Sequence, residues 1–368
     1  MIGYLRTTAR SVAQPRAKRR PPLCVQACCR PLGTTSPAGR IGRAAAAPLR
    51  RYLDSRFDRL ESRLERLDGA GVPKSAQLLG RVDVTEHNTG RTPPGFDHVV
   101  SQTVSAAQFA HPDFERLSRI LYPTATLPWG TSPISTLHRK VWEFVYVLRV
   151  AEQFGVLREG GRAVGFGVGQ EPIPAALASH GVSVLATDLD ASEDVSREWA
   201  ETGQHLATLA SLSMPDIVSD EILERRVGIR FVDMNAIPDD LGSFDFIWSC
   251  CALEHLGSPR AGLDFVARTL ELLEPGGLCV HTTELELTSR ATTADYGNIS
   301  VYRIADLEAL AREVRGRGFT METNWYVALE TAADRWIGHP PYDDPAHLKL
   351  VIGDSISTSV GLVIHRPG

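Results

Sequence analysis

The sequence predicts an α/β protein: a doubly wound, mostly parallel sheet of seven strands with an α-rich N-terminal cap. Two observations predict it. From residue 162 onward, short β-branched and aromatic runs alternate with helical periods. Within that alternation stands the glycine turn Gly165-Phe166-Gly167-Val168-Gly169, followed one helix length later by Val184-Leu185-Ala186-Thr187-Asp188. Strands are expected at 162–166, 182–187, 229–232, 244–249 and 277–283, with helices at 172–180, 192–210, 218–226, 259–273 and 304–316. A sixth strand near 320–326 and a last one near 356–365 complete the sheet. Repeated strand, helix, strand units argue parallel pairing with right-handed crossovers.

The glycine turn carries chemistry. A strand, a glycine turn, a helix and a second strand ending in an acid is how such a sheet holds a ribose-containing cofactor. Glycine lets the backbone approach the ligand because no Cβ intervenes, and the acid can accept hydrogen bonds from ribose hydroxyls. A nicotinamide-binding turn would need Gly-x-Gly-x-x-Gly. Its third glycine falls on Pro172 counted from Gly167, and on Gln170 counted from Gly165.

With the stretches that follow, the chain resembles the class I S-adenosylmethionine-dependent methyltransferases, from about Arg162 to His365. In that family the turn reads acid-x-Gly-x-Gly-x-Gly. Gly167 and Gly169 fill the first two glycine positions, Gly165 stands where the acid belongs, and Glu171 stands where the third glycine belongs. Asp188 lies at the family's usual distance beyond Glu171 for the ribose acid. Asp233-Met234 matches the adenine-contacting pair, Phe244 to Ser249 the fourth strand, Leu253-Glu254-His255 the turn beyond it, and Leu273-Glu274-Pro275-Gly276-Gly277 the turn into the fifth strand. The resemblance implies a Rossmann-like methyltransferase fold with the last strand antiparallel between the fifth and sixth. It implies S-adenosyl-L-methionine as cofactor, with Gly165, Phe166, Gly167, Gly169, Glu171, Asp188, Leu189, Asp233, Met234 and Ser249 as its binding residues.

Methyl transfer from a sulfonium is an in-line displacement, so positioning supplies much of the catalysis. A base is needed where the acceptor must lose a proton. At the carboxyl ends of the fourth and fifth strands the candidates are His255, as base or orienter, and Glu284, as its support or that of the acceptor. A histidine accepts a proton near neutral pH without tuning; the plainer reading of His255 is a capping or core residue. Glu254, Glu284 and Glu286 could offer oxygen ligands to Mg²⁺, but their spacing fits no known loop and no metal is expected.

Upstream, four segments are expected: a basic leader over 1–48, a helix within 49–68, a cap over 69–157 and the methyltransferase-like domain over 158–368. Residues 1–53 carry eleven Arg plus Lys and no acid, so the net charge of −5 leaves the remainder at −16. An acidic body does not suit nucleic acid, and a small acceptor is expected, preferably an oxygen of a sugar, a glycan precursor or another secondary metabolite. The leader lacks a signal peptide's apolar centre; its Arg-rich, acid-free make-up looks like a transit peptide or like an unstructured extension from a gene rich in Arg codons. Leu53, Phe57, Leu60, Leu64 and Leu67 form a two-heptad seam. The seam reads either as a homo-oligomer contact or as an amphipathic helix on its own domain. A long helix is expected over 134–154, from Leu137, Val141, Phe144, Val145, Leu148 and Ala151. With no apolar run of about 18 residues, no membrane span is expected, and a cytoplasmic enzyme is. The competing reading is a non-catalytic, cofactor-binding partner of another enzyme, motivated by the unusual glycine turn. Pro340-Pro341-Tyr342 looks like a motif of nucleic-acid amino-methyltransferases but stands in the wrong place, between the sixth and last strands.

Overall fold

The computed structural model describes residues 73–124, 137–190, 205–339 and 346–368. The leader, the seam helix, most of the expected helix 192–210 and the Pro-Pro-Tyr triplet lie outside them.

The strands run β1 (Ser101–Thr103), β2 (Leu137–His138), β3 (Arg162–Phe166), β4 (Ser183–Asp188), β5 (Val227–Phe231), β6 (Phe244–Cys250), β7 (Leu273–Glu286), β8 (Ala294–Asp295), β9 (Ser300–Val301), β10 (Thr323–Asn324), β11 (Ile337–Gly338), β12 (Ala346–His347), β13 (Lys349–Ile352) and β14 (Ser355–His365). The longer helices are α1 (Pro112–Leu121), α2 (Arg139–Gln153), α3 (Ile173–Ser179), α4 (Asp220–Arg226), α5 (Pro259–Thr269) and α6 (Ile304–Gly316).

The main sheet has the order β10-β1-β14-β7-β6-β3-β4-β5. From β5 to β7 every neighbour is parallel, and β14 lies antiparallel on β7 from Ser357↔Glu286 to His365↔Leu278. Chain order reverses at β3, which sits between β4 and β6. This is the switch point where open α/β sheets bind ligands at the carboxyl ends of their strands.

The expected seven-stranded sheet needs two corrections. The sheet has ten strands among the described residues. The last strand also meets the sixth only at its end, where Thr320 pairs antiparallel with His365; over the rest β1, from the expected cap, is threaded between β14 and β10. Beyond it, β13 forms a hairpin with β14 and β11 joins β13, so the expected loop-rich insert 327–355 is partly sheet. These strands are two to four residues long, too short to show a period-two pattern in sequence.

Alternation along the strands divides the core between the two faces. Phe246 and Trp248 pack with Trp142 and Val145 of α2 and Ile173 and Ala176 of α3. Val164, Ile247 and Cys279 pack with Phe265 and Val266 of α5 and Leu307 and Leu310 of α6. The α2 helix begins where the His138 ring accepts the Lys140 backbone N–H. It lies against β14 because Gly361 leaves room: a Cβ there would lie inside the Tyr146 ring. The Tyr146 hydroxyl then donates to the Val100 carbonyl just before β1, 2.7 Å away. That bond ties α2 to the chain entering β1.

Candidate active site at the carboxyl edge

The glycine turn leaves β3 at Phe166, whose ring points into the core and meets Phe265 edge-on at 5.3 Å. Phe166 therefore offers a ligand only its backbone. Gly167 and Gly169 both have positive φ, 61° and 54°, the region glycine enters without strain. A Cβ on Gly167 would lie 2.7 Å from the Ala252 Cβ and 3.6 Å from the Met234 sulfur. The turns after β3, β5 and β6 therefore converge at Gly167.

Asp188, at the end of β4, is half-buried. Its carboxylate accepts the backbone N–H of Gly169 (3.2 Å), Leu189 (2.9 Å) and Leu206 (3.0 Å). The Gly169 bond ties the acid directly to the glycine turn. Leu189 is held in turn by the His205 ring, whose Nε2–H donates to its carbonyl. Asp233 is exposed and accepts the Asn235 backbone N–H at 2.8 Å, which shapes the turn that presents Met234. Ser249 faces the interior. Its Oγ lies 2.7 Å from Nδ1 of buried His281, whose Nε2 lies 2.8 Å from the Cys279 sulfur.

The two departures from the expected turn form one unit. At Gly165 a Cβ would stand 2.5 Å from Trp248 Cε2 and 2.6 Å from Val168 Cγ2, so no side chain fits. The Trp248 indole that fills this space donates its N–H to Glu171. A missing acid and an unexpected acid are thus linked through one tryptophan.

Beyond β6 lies a buried polar cluster. Glu284 of β7 is paired with Arg139 and accepts the Ser357 hydroxyl. Burial is the largest influence and acts to raise its pKa, but the Arg139 charge and the hydrogen bonds from Ser357 and Arg139 together outweigh it and hold the carboxyl below its ordinary value. Glu143 of α2 pairs with Lys140 at 3.0 Å and accepts the Ser359 hydroxyl at 2.6 Å. Glu254, in the turn after β6, is 1% exposed and accepts the Thr283 hydroxyl at 3.1 Å. Burial, reinforced by the Glu284 charge, pushes Glu254 up to about 8. His255 is half-buried, and its Nδ1–H donates to the Asn298 carbonyl at 2.6 Å. Burial holds its pKa down to about 4. Cys251 has a positive φ of 49°, uncommon outside glycine. Its sulfur and the Glu254 and Glu284 carboxylates offer ligand atoms within 4.8 Å of one another. The Arg139 guanidinium already supplies the positive charge that a metal would bring to Glu284. Glu286 is committed elsewhere, to Ser355 and Thr288.

Sequence reasoning brought together the turn, Asp188 and Met234, but it missed Arg139, Lys140, Glu143 and Trp248. A signal existed for the first three: charges at 139, 140 and 143 crowd the start of a helix whose middle, Phe144 to Leu148, is apolar.

Parallel strands in the order β5-β4-β3-β6-β7, with an antiparallel last strand on β7, complete the comparison with the expected architecture. The fold is the Rossmann-like methyltransferase fold.

No family model matches the chain. No curated protein matches it in sequence. Among solved structures it is similar to a glycopeptide N-methyltransferase complexed with sinefungin, at 14% identity and a TM-score of 0.36, over 61% of this chain and 87% of that one. It is similar to the magnesium protoporphyrin IX methyltransferase of Synechocystis with bound S-adenosylhomocysteine, at 13% identity and a TM-score of 0.35, over 61% and 81%. A third is phosphoethanolamine N-methyltransferase 2 of Haemonchus contortus in complex with S-adenosylmethionine, at 14% identity and a TM-score of 0.34, over 60% and 52%. Among the described residues no helix is long and apolar enough to cross a membrane.

Proposed function

We propose that this protein is a methyltransferase that uses S-adenosylmethionine to methylate a small acceptor. The observation that carries the reading is the hydrogen bond from the Gly169 amide to Asp188. It joins a glycine turn and an acid at the switch point of the sheet, where a nucleoside needs both. The residues fit the group. The Gly167–Gly169 turn admits a ligand against the backbone, and Met234 stands beside it for an adenine. Asp188 offers about four acceptor directions on its two oxygens, and three backbone N–H groups use three of them. One direction is left for a ribose hydroxyl.

When bound, the cofactor supplies a methyl group on a positively charged sulfur. The chain's task is to align an acceptor with it and, for a hydroxyl, to take the proton. Of the groups at the edge of β6 and β7, Glu254 suits that task best: it is buried there, and among the described residues its side-chain donor is the neutral Thr283 hydroxyl. An oxygen of a sugar or other secondary metabolite remains the acceptor class that the acidic body favours.

A second reading, a degenerate domain that binds the cofactor weakly or not at all, is favoured by one observation: the Leu206 amide already bonds an Asp188 oxygen that a ribose would use. Calorimetric titration with S-adenosylhomocysteine tests both. Wild type should bind, and Asp188→Ala should bind about 10- to 100-fold more weakly, the loss expected for a charge-assisted hydrogen bond of about 1.5–3 kcal/mol. Circular dichroism should confirm that the variant is folded. Equal affinity in the variant would remove the ribose assignment, and absence of binding by wild type would remove the methyltransferase reading.

A further inference from the structure

Glu171 lies two residues beyond Gly169, on the stretch of turn that leads into α3, and is 7% exposed. Around it are the Trp248 indole N–H and the Cys250 thiol from β6, both neutral donors, and Lys140 and Glu143 from α2. Lys140 is the cation in this group, and Glu143 claims it at 3.0 Å. Glu171 is thus a buried carboxyl whose direct donors carry no charge. Buried carboxylates are ordinarily met by a cation. Across the sheet edge, Glu284 and Glu143 have theirs in Arg139 and Lys140. At Gly165, the head of the turn, the Trp248 ring excludes any acidic side chain.

We propose that Glu171 receives the α-ammonium of the cofactor's amino-acid end, in place of an acid at the head of the turn for which this chain has no room. The proposal rests on the cofactor reading above and deepens it. Trp248 serves two ends: its ring closes the Gly165 position, and its N–H fixes the Glu171 carboxyl. Burial pushes Glu171 up to about 8, so the free protein carries a proton there at pH 7. An arriving ammonium favours the ionised form, and the carboxyl gives that proton to solvent while the ligand's ammonium keeps its own.

Three ligands separate this role from a structural one: S-adenosylhomocysteine, its analogue lacking only the α-amine, and methylthioadenosine, which lacks the whole amino-acid end. In Glu171→Gln the amide oxygen still accepts the Trp248 N–H, so the packing is kept and the charge is lost. Calorimetry should show Glu171→Gln binding S-adenosylhomocysteine on the order of 10- to 100-fold more weakly than wild type, with methylthioadenosine affinity unchanged. Wild type should lose a similar factor on removal of the amine, and Glu171→Gln should be indifferent to it, as a coupled pair requires. In wild type, titrations in buffers of different ionisation enthalpy should register release of about one proton with S-adenosylhomocysteine at pH 7 and none with methylthioadenosine. If Glu171→Gln keeps the wild-type ratio between the two ligands, or the amine-free analogue binds wild type as tightly as its parent, the proposal is overturned while the cofactor reading stands. If wild type binds none of the three, the cofactor reading falls and this proposal falls with it.

Discussion

His255 and Glu254 are adjacent, yet their surroundings exchange the roles their residue types suggest. Histidine is the ordinary proton acceptor near neutral pH, but this one donates Nδ1–H to Asn298, and burial holds it down to about 4. Burial first and then the Glu284 charge raise Glu254 to about 8. A base works only when unprotonated, so the two make opposite forecasts. If Glu254 takes the acceptor's proton, turnover rises with pH through about 8. Glu254→Gln should lower it on the order of 10²-fold or more and abolish that rise. His255→Ala should leave the rise in place. Release of S-adenosylhomocysteine against a panel of hydroxyl acceptors, followed from pH 5 to 9, checks both. Turnover that is flat from pH 5 to 9, kept in Glu254→Gln and lost in His255→Ala, would restore the histidine. Residue type and spacing could place both side chains in the turn after β6. They could not report the environment that sets each proton affinity.

At the scale of elements, β3, β6 and α3 fit together through a missing side chain. Gly165 lies under the Trp248 ring, and its carbonyl accepts the Thr187 hydroxyl of β4 at 2.8 Å. The backbone there cannot readily retreat from the ring. Gly165→Ala should therefore overpack the sheet face and lower stability by about 1–3 kcal/mol. Trp248→Phe removes part of the obstructing ring, so the double variant should lose less than the sum of the single losses. Urea unfolding of the four proteins measures this. A Gly165→Ala protein as stable as wild type would mean that the ring has room to move. The elements were themselves mostly legible. The expected strand at 162–166 is β3, and the expected helix at 304–316 is α6. Periodicity also found α2, but the expected start at Ile134 falls outside the described residues, and the helix proper begins at Arg139. There the His138 cap sets its first turn and with it the positions of Arg139 and Lys140.

For the whole molecule, buried groups with displaced pKa values fix how stability depends on pH. Glu171 and Glu254 are raised from 4.5 to about 8. Between those values the folded state holds protons that the unfolded chain has released, so their contribution fades as pH rises. His255, His281 and His347 are lowered from 6.5, to about 4, 3 and 3, chiefly by burial. Below 6.5 the unfolded chain binds protons that the fold refuses, so their contribution fades as pH falls. His87 and His138 are lowered as well, again chiefly by burial, so two carboxyls stand against five imidazoles, and the thermal midpoint should peak at about pH 6–7 and decline on both sides. Glu171→Gln together with Glu254→Gln should flatten the alkaline decline and leave the acidic one. Differential scanning calorimetry from pH 4 to 9 decides it, and an unchanged alkaline limb in the double variant would contradict the burial of these carboxyls.

The sequence by itself determined the alternation of strands and helices, the glycine turn, the acid at the end of β4 and the order in which the turns follow one another. All of these are local: periodicity and glycine geometry act within a few residues, so a one-dimensional string records them. The tertiary structure decided where β1 enters the sheet, because a three-residue strand has too little pattern to announce its partner. It decided that Gly165 and Glu171 are a linked pair, because Trp248, which joins them, stands more than seventy residues away. It also decided which acids keep their protons. That depends on burial and on the cations within reach, and Arg139 reaches Glu284 only after α2 has docked against the sheet.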